Sequence, residues 1–114
     1  MMDIVVYLSK ALICIAGQCF PALVGAETPQ GTFTMYQRIT DDPLYKGSVL
    51  QFHETPKMVY AIHRVWLGRP SERRQERLAS SVSQRFITKG CINVSDDVYT
   101  QLLDYQGQSL RIEP

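Results

Sequence analysis

The sequence lacks an excess of charge of either sign. Its 114 residues include 12 Lys or Arg and 11 Asp or Glu, which gives a formal net charge of +1. Without a strong overall field, the chain is not expected to bind nucleic acid. It also lacks low-complexity tracts, heptads and internal repeats. With 45% hydrophobic and 20% charged residues, it has the composition of one globular domain spanning residues 1–114. We expect a monomer without stable membrane insertion.

Cysteine is scarce. The three cysteines, Cys14, Cys19 and Cys91, cannot complete a disulfide framework, and their spacing matches no zinc-site pattern. At least one must be a free thiol, and we expect no metal. Cys14 and Cys19 lie in an apolar stretch, where cysteine usually behaves as a small hydrophobic residue. A disulfide between these two is the alternative.

The N-terminal segment can be interpreted in two ways. Residues 11–26 are apolar and end in small residues, as the core of an export signal does. However, Asp3 stands where a signal would be basic, and Gly17 is typical of a turn. We therefore predict a β-hairpin that remains in the active protein, with residues 4–15 as one buried strand and 19–24 as its partner. An export signal is the alternative.

The remaining pattern predicts a mostly β domain whose mixed sheets form a compact barrel or sandwich. Ser71 is expected to cap a short, polar, solvated helix that runs to about Ser81. Ser95 is expected to cap a second helix, which Gly107 ends, with Asp96 at its positive end. Further strands are predicted at residues 33–38, 47–53, 58–66 and 109–112.

Cys91 and His63 are the candidates for chemistry. A thiol is a weak nucleophile until its proton is removed, and an imidazole is the usual base for that step. His63 is predicted near the end of a strand, whereas His53, next to Glu54, is expected at the surface. The pair predicts acyl transfer; a buried core thiol and a histidine that caps a strand are the alternatives. The helix predicted after Cys91 and the ammonium of Lys89 are expected to lower the pKa of the thiol.

Two motifs and the histidine between them resemble a known family. The sequence Thr-Pro-Gln-Gly-Thr-Phe at residues 28–33, then His63, then Thr-Lys-Gly-Cys-Ile-Asn at residues 88–93 resembles the L,D-transpeptidase catalytic domain (YkuD family) of bacterial cell-wall enzymes. The resemblance spans nearly the whole chain. It departs from the family at Lys89, where the signature has histidine. The spacer between the two motif parts, residues 64–87, is also longer than in most members. Part of this spacer resembles a subgroup whose motif histidine is likewise replaced.

The resemblance implies a reaction and a site. Cys91 would attack an L,D peptide bond of a peptidoglycan stem peptide, expel D-alanine and form an acyl-enzyme, with His63 as acid and base. Cross-linking or D-amino-acid exchange would follow, without metal or organic cofactor, in the cell envelope. Residues expected to support the loop or form its oxyanion hole are Thr88, Lys89, Gly90 and Asn93; those expected to bind substrate are Tyr60, Arg64 and Trp66.

Two rival functions remain open on the same residues. If water instead of an amine captured the acyl-enzyme, the protein would be an L,D-carboxypeptidase. The replacement of the motif histidine by Lys89 also makes a non-catalytic peptidoglycan-binding module conceivable. The sequence contains no clear signal peptide, so the route of export is not predicted.

Overall fold

A computed structural model describes residues 4–114 and arranges them in three mixed or parallel β-sheets with two α-helices. In chain order the strands are β1 Ile4–Tyr7, β2 Leu12–Ile15, β3 Gln18–Pro21, β4 Val24–Gly25, β5 Gly31–Thr34, β6 Tyr36–Ile39, β7 Ser48–Glu54, β8 Val59–Arg64, β9 Phe86–Thr88, β10 Ile92–Val94 and β11 Ser109–Glu113. The helices are α1 Arg74–Leu78 and α2 Asp96–Leu103. The sheets have the orders β3-β2-β1-β11-β5, β10-β8-β7-β6 and β4-β9. The prediction of a mostly β domain with mixed sheets is confirmed.

The N-terminal segment forms three strands, so the prediction of one strand over residues 4–15 is wrong. The chain reverses through a 3₁₀ turn at Leu8–Lys10 and through Ala11, which has a left-handed φ of 48°. β1 and β2 therefore pair antiparallel, with Ile4 opposite Ile15. An apolar run that folds into two paired strands has the same composition as one long buried strand. The hydrophobic pattern of residues 4–15 therefore did not show the chain reversal at Ala11.

This segment supplies part of the core. β1 lies between β2 and the parallel strand β11, at the centre of the five-stranded sheet. The side chains of Ile4, Val6 and Ile13 have no exposed surface. Burial of such a side chain is worth roughly 1.5–3 kcal/mol, so the first sheet depends on these residues.

Cys14 and Cys19 form a disulfide, and the expectation that both are free apolar thiols is wrong. Ala16 and Gly17 form a two-residue turn with φ of 49° and 87°, which suits the twist of a hairpin. This turn places Cys14 directly opposite Cys19 in the β2–β3 pair. The register of the turn, which composition does not reveal, thus determines the pairing.

The predicted strand over residues 33–38 is divided between two sheets. β5 pairs with β11 in the first sheet, and β6 pairs with β7 in the second. Met35, between them, is fully buried. Side chains go on alternating between the two faces where the chain passes from one sheet to the other. The sequence pattern therefore indicated one strand where there are two. The strands predicted at residues 47–53, 58–66 and 109–112 correspond to β7, β8 and β11.

The small third sheet joins the N-terminal segment to the loop that contains Cys91. Here β4 pairs in parallel with β9. A Cβ atom on Gly25 would lie 2.0 Å from the carbonyl oxygen of Thr88, which is backbone and has little freedom to move. Glycine at this position therefore allows the close approach of the two strands.

The spacer between His63 and Cys91 is less regular than predicted. Instead of one helix capped by Ser71, it contains a 3₁₀ turn at Pro70–Glu72, the five-residue α1 and a second 3₁₀ turn at Val82–Gln84. Arg73 adopts a left-handed φ of 52° and separates the first turn from α1. Leu78 is buried and anchors this segment.

The second helix begins where the sequence predicts. The side chain of Ser95 accepts a hydrogen bond of 3.2 Å from the backbone N–H of Val98, which satisfies one of the free donors at the start of α2. The helix ends at Leu103, and Gly107 lies in the following turn with a φ of 84°. Within residues 4–114, neither helix has the length and apolar character needed to cross a membrane.

The disulfide predicts a labelling pattern. Protein purified from an oxidising compartment, denatured without reductant and treated with iodoacetamide, should gain one label, on Cys91. After reduction it should gain three. Peptide mass spectrometry distinguishes these states, and three labels without reductant would show that the disulfide does not form.

Candidate functional site

The candidate site lies where β8 ends and β10 begins. These two strands are parallel, with Asn93 opposite His63 and Ile92 opposite Ile62. Cys91 immediately precedes β10, so the pairing brings its side chain to the strand that holds His63. Cys91 and His63 both line two neighbouring cavities, of about 180 and 410 Å³. The sequence predicted the meeting of these two residues.

His63 has a defined tautomer. Its Nδ1 lies 2.7 Å from the carbonyl oxygen of Arg64. A carbonyl oxygen only accepts hydrogen bonds, so Nδ1 must carry the proton and Nε2 must hold the lone pair. The ring of Tyr45 meets that of His63 edge to face, with centroids 4.8 Å apart. His63 is 3% exposed and therefore has little freedom to reorient.

Burial keeps both groups neutral near pH 7. Loss of hydration lowers the pKa of His63 to about 4 and raises the pKa of the Cys91 thiol above its ordinary value. The expected lowering by a following helix is wrong, because β10 stands between Cys91 and α2. The positive charge that acts against this rise belongs to Arg74. In these protonation states the imidazole can accept a proton and the thiol can donate one. The thiol lies 3.7 Å from the backbone carbonyl oxygen of Val59 and donates to it.

Hydrogen bonds fix the loop that carries Cys91. The backbone carbonyls of Lys89, Gly90 and Cys91 each accept a hydrogen bond, the first two from residues 27 and 28 and the third from the end of β9. The donors are the N–H of Glu27 to Lys89 at 3.1 Å, the hydroxyl of Thr28 to Gly90 at 2.9 Å and the hydroxyl of Thr88 to Cys91 at 2.6 Å. The structure thus explains why the motif at residues 28–33 accompanies the cysteine motif: its threonine holds the loop from the other side.

Tyr60 supports this loop from below. A Cβ atom on Gly90 would lie 2.5 Å from the Tyr60 ring and 3.3 Å from the end of Met58. Glycine therefore allows the backbone to rest on the ring. Tyr60 is buried and lines neither of the two cavities. It packs against the loop, and it does not take the substrate-binding position expected for it. His53 is half-buried, with its ring 5.7 Å from that of Tyr60, and it does not reach the cavities.

Asn93 connects β10 to the spacer. Its buried Oδ1 accepts hydrogen bonds from the backbone N–H of Trp66 at 3.1 Å and from Nη1 of Arg74 at 3.0 Å. Its backbone also exchanges two hydrogen bonds with Leu23, of 2.8 and 2.9 Å. Asn93 therefore holds the spacer against the sheet, whereas its expected role was to brace the loop itself.

Arg64 does not take the substrate-binding place expected from its position. Its guanidinium lies 4.4 Å from the centre of the Tyr99 ring, and its Nε lies 3.6 Å from a carboxylate oxygen of Asp96. These contacts hold it on α2, and it lines neither cavity. Trp66 does line the smaller cavity.

Arg74 is the site residue that sequence reasoning missed. Together with Trp66 and Lys89 it lines the smaller cavity beside Cys91 and His63. No sequence pattern marks it, because Arg73, Arg74 and Arg77 belong to one charged run that was expected to face solvent. Only the contacts of the folded spacer distinguish the three.

The two cavities adjoin the thiol from different directions. The smaller is bounded by the spacer and the loop, and the larger by β6 and the turn that follows it. A separate cavity of about 640 Å³ lies over β6 and β7 and contains neither Cys91 nor His63. In the part of the chain that the structure describes, no group of three or more His, Cys, Asp or Glu side chains is placed to hold a metal ion.

The buried His63 predicts a pH dependence of stability. The unfolded chain takes up a proton near the ordinary pKa of 6.5, whereas the folded chain does so near 4. The free energy of unfolding should therefore fall by about 3 kcal/mol as the pH drops from about 6.5 to about 4, and this contribution is constant above 6.5.

Urea denaturation of the wild type and of His63→Gln across this range measures the effect. Carboxyl groups titrate in both proteins, so the difference between the two curves isolates the imidazole. Parallel curves would show that His63 is protonated as easily in the folded state as in the unfolded one.

Comparison with known proteins identifies the architecture. No protein-family model matches the sequence, and no curated protein matches it. The structure is similar to an L,D-transpeptidase from Mycobacterium smegmatis, with a TM-score of 0.60, 18% identity and coverage of 98% of this chain and 59% of that one. For L,D-transpeptidase 3 from Mycobacterium tuberculosis, in complex with a faropenem-derived adduct, these values are 0.65, 14%, 97% and 59%.

An L,D-transpeptidase from Stackebrandtia nassauensis gives a TM-score of 0.58, 12% identity and coverage of 97% of this chain and 54% of that one. The chain thus spans between 54% and 59% of the length of these three structures. Nearly all of the chain superposes on each of them although few residues are identical. The chain has the fold of the L,D-transpeptidases of the YkuD type.

Proposed function

We propose that this protein is a cysteine L,D-transpeptidase that acts on peptidoglycan stem peptides through a Cys91 acyl-enzyme. One observation carries the proposal: in an L,D-transpeptidase fold, Cys91 and a neutral His63 with a free Nε2 lie together at the junction of two cavities. The fold supports the reaction class, and the pair supplies the nucleophile and the base that this class needs.

The first half-reaction forms the acyl-enzyme. Nε2 of His63 takes the thiol proton as Sγ of Cys91 bonds to the carbonyl carbon on the L side of the scissile bond. The carbonyl oxygen becomes an oxyanion, for which the N–H groups of Lys89, Gly90 and Cys91 are the candidate donors. The bonds that their carbonyls accept hold the loop that would present these donors. The intermediate collapses, the C–N bond breaks, and His63 protonates the departing amine of D-alanine.

The second half-reaction releases the product. The amine of an acceptor attacks the thioester, His63 takes its proton, and the C–S bond breaks as the thiol recovers a proton. A reaction of this kind must bring both an acyl donor and an acceptor amine to one sulfur. The two cavities that meet at Cys91 suit this requirement.

The disulfide supports action in the cell envelope. Disulfides persist in oxidising compartments and are rare in reducing ones. The Cys14–Cys19 bond therefore favours a location where peptidoglycan is accessible. The monomeric state stays a prediction.

The nucleophile is tested first. Cys91→Ala should abolish turnover of defined muropeptides and leave the melting temperature nearly unchanged, because it removes a half-buried thiol without altering the backbone bonds of the loop. Mass spectrometry of the products identifies the reaction: cross-linked or exchanged peptides indicate a transpeptidase, and trimmed peptides alone indicate an L,D-carboxypeptidase. Undiminished turnover by the variant would remove Cys91 from the mechanism.

The base is tested with a matched pair of histidines. His63→Ala should lower kcat by about 10² to 10⁴, the usual contribution of general acid–base catalysis, whereas His53→Ala should leave it nearly unchanged. A larger loss in His53→Ala would show that the base is misassigned.

A binding module without catalysis is distinguished by acylation. Because a structure with this fold carries a faropenem-derived adduct, faropenem is a suitable electrophile. Intact-mass measurement should show one adduct on the wild type and none on Cys91→Ala. Failure of the wild type to react with either faropenem or muropeptides would favour the binding module.

A further inference from the structure

Arg74 is a nearly buried cation that is held on three sides at the edge of the site. Its side chain is 11% exposed. Nε donates to Glu72 at 2.9 Å, Nη1 donates to Asn93 at 3.0 Å, and the guanidinium carbon lies 5.0 Å from the centre of the Trp66 ring. A guanidinium fixed in this way loses little conformational freedom when it binds a further group.

The guanidinium has donor capacity left over. Of its five N–H groups, the contacts within residues 4–114 use one on Nε and one on Nη1. Nη2 has no protein partner among these residues, and Arg74 lines the cavity that contains Cys91 and His63. Glu72 occupies only the Nε side, so the Nη end can bind an acceptor from the cavity.

The two cavities differ in charge. The residues that line the smaller one include Arg74 and Lys89 and no acidic side chain. The larger one is lined by Arg38 together with Asp41. The smaller cavity therefore favours an anion next to the thiol, and the larger one has no such preference.

The size of the smaller cavity limits the group that it can hold. At about 180 Å³ it is smaller than typical ligand pockets of about 300–1,000 Å³, and it suits one small residue and not a longer peptide. In the reaction proposed above, the small anionic group nearest the scissile bond is the terminal residue that departs, which carries a free carboxylate.

We propose that Arg74 binds the C-terminal carboxylate of the departing residue, so that the smaller cavity is the leaving-group site and selects substrates that end one residue beyond the scissile bond. This inference rests on the proposed function and names the substrate feature that the site recognises. Arg64, which was expected to bind substrate, contacts α2 instead.

A purely structural role for Arg74 makes a different prediction. If it only ties the spacer to Asn93, its loss should slow every substrate equally. If it binds the carboxylate, its loss should affect only substrates that have one. The comparison of two substrates in two proteins separates these roles.

The experiment measures kcat/KM for a stem tetrapeptide with a free C-terminal carboxylate and for the same peptide as a C-terminal carboxamide. The wild type should prefer the carboxylate by about 10- to 100-fold, as expected for a desolvated charge-assisted pair. Arg74→Gln should lose this preference, mainly through a higher KM for the carboxylate peptide, while the carboxamide rate changes little. Arg73→Gln, which removes the neighbouring, 73% exposed cation, is the matched control and should keep the preference.

Three results would overturn the proposal: no preference in the wild type, equal losses on both peptides in Arg74→Gln, or the same loss of preference in Arg73→Gln. Circular dichroism checks the fold. If Arg74→Gln unfolds, Arg74→Lys, which keeps the charge but not the planar fork, should show a reduced preference with the carboxamide rate retained.

Failure of the proposed function is separable from failure of this inference. If the wild type turns over neither peptide, calorimetry with Cys91→Ala and with Cys91→Ala combined with Arg74→Gln measures binding alone. If the carboxylate peptide binds more tightly and this difference depends on Arg74, the result supports carboxylate binding by Arg74 even without catalysis. Equal binding of both peptides, or binding of neither, would overturn it.

Discussion

The site depends on the parallel pairing of β8 with β10. His63 lies near the end of β8 and Cys91 at the start of β10, and the 27 intervening residues must leave the sheet and return for the two to meet. Two parallel strands in full register place their first residues side by side. The last residues of β8 lie beside the first residues of β10 only because the register is shifted along the strands. Here Asn93 pairs with His63, which sets Cys91 two residues back along β10 and beside Ala61 of β8. The hydrogen bonds of the loop carbonyls hold the backbone of residues 89–91, and the thiol donates to the backbone carbonyl of Val59 at 3.7 Å.

The same burial that positions the pair also determines its protonation. A buried imidazole and a half-buried thiol both disfavour charge, so the resting state is neutral and not a thiolate–imidazolium pair. In the proposed reaction, charge appears on the pair only as a carbonyl carbon bonds to the sulfur. A neutral resting thiol also reacts slowly with oxidants and adventitious electrophiles, because the thiolate is the reactive form. Under the proposed function, this property suits a site that opens to an oxidising compartment.

The sequence predicted the parts of this protein that local chemistry determines. The cap of α2 at Ser95 is a short-range hydrogen bond between neighbouring residues, and the cysteine motif is a contiguous loop. The errors concern pairings that form only in the folded chain. The reversal at Ala11, the Cys14–Cys19 bond and the crossing at Met35 all depend on which strands become neighbours, and apolar composition is the same for either arrangement. Arg74 was missed for the same reason: its partner Asn93 is 19 residues away, and nothing in the charged run distinguishes it from Arg73.

The two departures from the family signature have a common structural context. At the first departure, Lys89, the carbonyl is held by Glu27 while the side chain is exposed at the mouth of the smaller cavity. At the second, the long spacer folds so that Arg74 reaches the amide of Asn93, the last residue of the motif. Arg74, which comes from the spacer, therefore lines the smaller cavity next to Cys91. Position 89 thus has an ammonium where the signature has an imidazole, and Arg74 adds a guanidinium from the spacer. Under the two proposals above, His63 transfers the proton and Arg74 binds the anion, so different residues perform these two tasks.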